Sequence, residues 1–183
     1  MSFFVARVRT SLLLCLLLPW GARAGADTLV SFANLWSGAA LTAWSSSKDS
    51  YIWGYWPYYY RSGTDRVNWH MSNHDDGSIV LQSAATGYCL TEYDYRYVIQ
   101  SICLDGQTRQ RFRALPTEGG AFLLRNAIAG GQCVVMEASA NYRYAFVVRL
   151  ESCPEQDRVI HPRFMWVRHP PLAPGQVAPH DEL

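Results

Sequence analysis

Lysine is nearly missing from this chain. Lys48 is the only one, and arginine supplies the rest of the 16 basic residues. Arginine-rich codon usage in a GC-rich genome accounts for such a bias; depletion of ubiquitin-acceptor sites is the functional alternative. The basic residues form no run, and 15 acidic residues nearly balance them. That argues against nucleic acid as a direct partner, because phosphate neutralisation needs clustered Lys and Arg. There is no Gly-x-Ser-x-Gly, no His-Glu-x-x-His and no phosphate-cradling glycine loop. The histidines are scattered, with His161, His169 and His180 late in the chain. The chain therefore reads as non-catalytic and without a cofactor. No Cys-x-x-Cys spacing suggests zinc or another metal. No Asn-x-Ser/Thr sequon occurs, which leans against a eukaryotic lumenal origin.

A long apolar run is also absent. The longest, Leu12–Leu18, is too short to span a bilayer as a stable anchor. Arg7 and Arg9 precede it and Ala22-Arg23-Ala24 follow. A basic start, a short apolar centre and small residues before a cut describe a secretory signal peptide over residues 1–24. Cleavage after Ala24 is favoured over Ala26. Leu14 before Cys15 argues against a lipoprotein site. Removing Arg7, Arg9 and Arg23 leaves 13 basic against 15 acidic residues, a net charge of about −2.

What remains is one domain's worth of chain, expected over residues 27–169. A short apolar run at Ile79–Leu81 leads through Gly87 to Cys89-Leu90, then Ile102-Cys103 and Gln110-Arg111-Phe112. The same order returns at Ala121–Leu124, Gly131-Gln132-Cys133-Val134, Val147–Cys153 and Phe164-Met165-Trp166. It also precedes the template, at Leu29–Phe32, Ser37–Thr42 and Val67-Asn68-Trp69, with Ala40 in the cysteine position. Gly38, Gly87 and Gly131 mark a period of roughly 45 residues. Three units of about four short strands, none able to bury its apolar face alone, predict an all-β, β-trefoil fold. In a secreted chain the four remaining cysteines read as two disulfides with three possible connectivities. The repeat favours Cys89–Cys103 and Cys133–Cys153, one inside each of the last two units.

Seven of the ten residues from Tyr51 to Tyr60 are Tyr or Trp. Alternate residues of a strand face opposite ways, so one core face cannot absorb them all. Tyr51, Trp53 and Tyr55 share one parity, and Pro57 ends the ladder. Some rings must be exposed, and clustered exposed rings mark a binding surface; the simpler alternative is that half of them are core and the others close the barrel end. Glu92–Tyr97 and Asn141–Tyr144 occupy equivalent places in units two and three and either extend that surface or cover the barrel. Asn73-His74-Asp75-Asp76-Gly77 reads as a turn rather than a metal site.

Residues 170–183 read as an extended proline-rich tail. It ends in His180-Asp181-Glu182-Leu183, a receptor-read retrieval address of the endoplasmic reticulum.

The order of Leu41-Thr42-Ala43-Trp44, Trp53-Gly54-Tyr55, Arg66-Val67-Asn68-Trp69, Gly87-Tyr88-Cys89-Leu90, Gln110-Arg111-Phe112, Gly131-Gln132-Cys133 and Pro170-Pro171 resembles the ricin-B-type β-trefoil lectins. Within them the chain is similar to the A subunits of the cytolethal distending toxins, with the C subunits close behind. The resemblance covers residues 29–172. It implies a secreted, non-catalytic subunit that binds the host surface and, with a second trefoil subunit, carries a DNase-I-like nuclease. It places a receptor-binding aromatic patch on Trp44, Tyr51, Trp53, Tyr55 and Trp56, with Tyr142 and Tyr144 as further members. A host glycan or lipid is the implied ligand, and a host HDEL/KDEL receptor the implied reader of the tail. Three departures stand out. Thr42, Thr91 and Val135 replace the Asp of galactose-binding trefoils; the Gln-x-Trp of unit three is replaced around Pro162-Arg163-Phe164; and the lipid-attachment cysteine and long proline-rich arm typical of the A component are missing. The alternative is a eukaryotic lectin-like trefoil resident in the endoplasmic reticulum, and a stand-alone sugar-binding accessory module comes third.

Overall fold

The structure, a computed structural model, describes residues 27–57, 64–128, 130–155 and 158–173. The expected signal peptide, Tyr58–Tyr60 and the terminal tetrapeptide lie outside these residues.

The described residues form twelve strands, four per repeat. The first repeat holds β1 (Thr28–Asn34), β2 (Ala40–Thr42), β3 (Trp53–Tyr55) and β4 (Asn68–Asn73). The second holds β5 (Ile79–Ser83), β6 (Cys89–Tyr93), β7 (Tyr97–Ser101) and β8 (Phe112–Pro116). The third holds β9 (Phe122–Asn126), β10 (Cys133–Ala138), β11 (Ala145–Glu151) and β12 (Met165–His169).

The outer strands of each repeat pair antiparallel in one ring, β1–β4–β5–β8–β9–β12 and back to β1. That closes a six-stranded barrel and leaves it no free edge. The inner strands make three hairpins, β2–β3, β6–β7 and β10–β11. These meet one another through β11–β3, β11–β7 and the Tyr51–Ile99 bridge, and so cap one end of the barrel. This is the β-trefoil read from the repeat.

Alternation explains the core. In β5, Ile79, Leu81 and Ser83 are buried while Val80 and Gln82 are half-buried, as a strand with one inward face requires. Phe32, Leu81, Leu90, Leu124, Val134 and Met136 join one central cluster with Trp69, Phe112 and Trp166. These last three are fully buried and equivalent. The Trp69 indole donates to Leu41 O at 3.0 Å, and the Trp166 indole to Val134 O at 2.8 Å. Trp166 thus keeps the aromatic place in unit three. The Gln110 position is what changes there, to Phe164, as it changes to Val67 in unit one. Each of these residues ends a short 3-10 turn: Thr64–Val67, Thr108–Gln110 and Pro162–Phe164.

The register also locates the missing cysteine. Ala33 pairs with Ala40, Gln82 with Cys89, and Arg125 with Cys133. The bonds are Cys89–Cys103 and Cys133–Cys153. The repeat glycines need one correction. The third turn is a residue longer, and the left-handed backbone falls on Gly130 (φ 76°), not Gly131. Gly131 is a glycine for another reason: a side chain there would collide with Asn126 O.

The tail differs from expectation at its start. The Ser31 hydroxyl donates to Pro170 O, and Asn68 brackets Leu172, donating to its carbonyl at 3.0 Å and accepting from its N–H at 2.9 Å. Leu172 and Tyr55 both pack against the buried pair Ala40 and Val67. Pro170–Leu172 therefore belong to the domain. A Pro-Pro pair fixes an extended backbone, but extended backbone can still lie against a barrel.

Candidate functional site

The cap gathers the exposed rings. In β3, Gly54 points inward, where a side chain would collide with Met136, and Trp53 and Tyr55 point outward. The Tyr55 ring stacks on Trp44 with centroids 4.8 Å apart and planes at 23°. Trp53 meets Tyr142 of the third hairpin edge-on at 5.7 Å. Tyr51 meets Tyr97 and Tyr93 of the second hairpin at 5.3 and 6.4 Å. Trp44, Tyr51, Tyr93, Tyr142 and Tyr144 are each about half exposed. All three repeats thus supply rings to one face.

Cations frame the rings. The Arg149 guanidinium sits 5.7 Å from the Tyr97 ring and Arg143 5.9 Å from Tyr144, both within cation–π reach. Arg66 donates to the carbonyls of Ala43 and Trp44, which fixes the backbone from which Trp44 stacks. Between Tyr51, Trp53, Tyr97, Val147 and Arg149 lies a shallow groove of about 250 Å³. Burial, then the neighbouring Tyr142, holds the Tyr55 hydroxyl above the ordinary tyrosine pKa, so it stays a neutral donor. The loop before Tyr51 carries Lys48, paired with Asp49 at 3.0 Å.

Trp56 departs from the expected patch. Its indole donates to Ser37 O at 2.8 Å and its ring meets Phe146 edge-on at 5.0 Å, on the edge of the central core. Tyr93 and Tyr97 join the face, the first of the two alternatives that the sequence leaves open for Glu92–Tyr97. Their signal was the repeat itself, which puts Glu92–Tyr97 at a hairpin tip equivalent to those carrying Trp44 and Tyr142. Asn73–Gly77 forms a turn: Gly77 N donates to His74 O, and Asp76 accepts from the Ser78 N–H and hydroxyl.

A family model described as the cytolethal distending toxin A/C domain matches residues 29–178. The chain belongs to that family. A curated relative, the A component of cytolethal distending toxin from Haemophilus ducreyi, is 28% identical over 144 residues. That match covers 74% of this chain, which spans only 60% of the relative's length. Among solved structures, cytolethal distending toxin from Actinobacillus actinomycetemcomitans superposes with a TM-score of 0.69 at 23% identity, covering 83% of this chain and 97% of that one. A Macrolepiota procera ricin B-like lectin, solved in complex with lactose, superposes with a TM-score of 0.60 at 16% identity, covering 80% and 97%. At such identities these two likenesses establish the fold alone.

In this member of the toxin A/C family, the positions that hold Asp in galactose-binding trefoils are turned to other work. Thr42 and Thr91 are buried, their hydroxyls donating to Ala40 O and Cys89 O, and Val135 is core. Gln110, likewise buried, donates to Thr91 Oγ1 and Ile102 O and accepts from Leu104 N. These contacts are internal to the repeat and hold its disulfide loop in place.

Proposed function

We propose that this chain is the non-catalytic, cell-surface-binding subunit of a cytolethal-distending-toxin-like assembly. The observation that carries the reading is the cap face, where exposed rings from all three hairpins converge. Flat apolar rings with polar tips stack on sugar faces and bury against lipid with little entropy to lose. The ligand is a host glycan or lipid surface, and Arg143 and Arg149 flank it. Other faces of the trefoil hold a DNase-I-like nuclease and a second trefoil subunit, and the assembly delivers the nuclease into the host cell. The secreted route follows from the expected signal peptide. His180–Leu183 then recruits a host retrieval receptor once the toxin reaches the Golgi.

The test is Trp53→Ala with Tyr55→Ala. Cell attachment of the purified assembly, read by flow cytometry, is expected to weaken about thirtyfold or more, in line with loss of buried aromatic anchors. Circular dichroism checks that the fold persists. Full attachment by the folded double mutant removes the cap from the argument. Co-expression with the neighbouring genes tests the partners: recovery of the chain alone overturns the delivery reading.

A further inference from the structure

The three places where one repeat's cap hairpin meets the next repeat's are built alike and finished differently. The residue three positions after the repeat cysteine, or after Ala40, is Ala43, Glu92 or Met136, and all three are buried. Across each junction it faces the strand of the following repeat. There the register makes Gly54, Gln100 and Leu150 equivalent, paired with Leu41, Leu90 and Val134.

Two junctions are filled by the chain itself. Between repeats one and two, Gln100 is fully buried and fully bonded: it donates to Ser45 O at 2.7 Å and Ser47 O at 2.8 Å, and accepts from the Thr86 hydroxyl. Between repeats three and one, Met136 lies over Gly54, the Ser37 hydroxyl reaches its sulfur, and Trp56 closes the opening against Phe146.

The junction between repeats two and three stays open. It holds a pocket of about 260 Å³, lined by Glu92, Tyr95, Ile128, Gln132, Leu150 and Ser152 among others. Ser152 stands where repeat one has Trp56, each the residue after the hairpin partner of Cys133 or Ala40. Glu92 is 3% exposed, at a site where the other repeats place Ala and Met. Its Oε1 accepts from Tyr95 N at 2.6 Å. Its Oε2 is buried, accepts no hydrogen bond among the described residues and forms an ion pair with Arg109 Nε at 3.4 Å. A buried carboxylate is costly, and one left short of donors is costlier. Elsewhere in this cap an apolar residue does the packing.

We propose that this second junction is a binding site for a single neutral sugar residue, separate from the aromatic face. Arg109 already offsets the carboxylate's charge, so what Glu92 lacks is O–H donors rather than a second cation. Gln132 and Ser152 add groups that both donate and accept, and Tyr95, 60% exposed on the rim, offers a ring face for stacking. The volume lies below the range of drug-sized ligands and suits one ring. The site shares nothing with the Thr91 position described above, which is closed by Gln110.

Two substitutions copied from the sister repeats test this. Ser152→Trp restores the plug of repeat one without touching Glu92, and Glu92→Met restores the core residue of repeat three. The probe is saturation-transfer difference NMR on the mature protein with D-galactose, N-acetyl-D-glucosamine and D-mannose at millimolar concentration, and agmatine as a cationic control. At least one sugar is expected to give a signal that Ser152→Trp and Glu92→Met each reduce about tenfold or more, while Trp53→Ala with Tyr55→Ala leaves it in place. Glu92→Met is expected to unfold no earlier than the parent, because it removes a buried oxygen that lacks a hydrogen bond. No signal from any sugar, a signal that survives Ser152→Trp, or binding of agmatine in place of sugars overturns the proposal.

Discussion

In the third repeat Cys133 sits opposite Glu151 across its hairpin and is bonded to Cys153, two residues further on. In the first repeat the same register sets Ala40 opposite Tyr55, and Pro57 two residues on. The two hairpins share a backbone plan but not a crosslink. Where the third repeat has a covalent bond, the first has Tyr55 stacked on Trp44, Arg66 holding the Trp44 backbone, and Leu172 returning from the far end of the domain to pack on Ala40 and Val67. A bond within one repeat is thus matched by packing that draws on the end of the chain. The uncrosslinked repeat is also the one that contributes most rings to the cap. The disulfide closes the base of its hairpin, away from the tip where Tyr142 stands.

The largest effect should come from making the third repeat like the first. Cys133→Ala with Cys153→Ala opens a loop with a sequence separation of 20. The chain-entropy account puts the loss at about 3 kcal/mol, measurable by urea unfolding under non-reducing conditions. A loss below about 1 kcal/mol would mean that packing in the third repeat already does what it does in the first. A middle effect is expected from Gln110→Val, which gives the second repeat the residue of the first, Val67. The Leu104 N–H and the Ile102 carbonyl lose the Gln110 amide, and Thr91 Oγ1 loses a donor while keeping its bond to Cys89 O. The cost should be roughly 2–3 kcal/mol with the Cys89–Cys103 bond intact. No change in the urea midpoint would show that water replaces the amide.

The smallest effect concerns Glu151, which holds the place of Tyr55. Burial, with Glu137 beside it, raises its pKa above the ordinary glutamate value, against the pull of Arg163, whose guanidinium bonds both carboxylates at 2.8 Å. A raised folded pKa means that protonated Glu151 favours the fold. Its contribution is complete below the unfolded pKa and is lost as pH rises through the raised one. Stability should therefore slip as pH climbs through and just above the ordinary glutamate range, and Glu151→Gln should flatten that slope. Parallel urea midpoints for the two proteins across that range would sink the idea.

The fold was legible because its markers are local and repeated. Gly, Cys and the closing aromatic recur in order, and the disulfides follow from that order. The outward rings were legible in part. The alternation that turns Trp53 and Tyr55 outward turns Trp56 inward, so grouping Trp56 with them ran against the strand's own period. What stayed hidden was set by partners distant in sequence. A Glu in the tyrosine-rich stretch Glu92–Tyr97 reads as solvated, yet Glu92 is buried where its hairpin meets the third repeat. Leu172 follows two prolines and reads as loose, and partners far back in the chain, Asn68, Ala40 and Val67, tie it down. Arg66 stands in the Arg66–Trp69 motif, but its task stayed hidden because its partners are the backbone carbonyls of Ala43 and Trp44.

Lys48 has a practical consequence for bioconjugation. Its ammonium is half exposed and lies on the loop between Trp44 and Tyr51. Apart from the α-amino group, every amine-reactive dye, biotin ester or sensor chip meets the chain there. Coupling at neutral-to-basic pH would seat the label beside the cap rings and turn that face toward the solid support. A chip prepared this way would report weak attachment for a protein whose surface is intact. Coupling through an added cysteine at the opposite, β4–β5 end of the barrel keeps the rings facing solution.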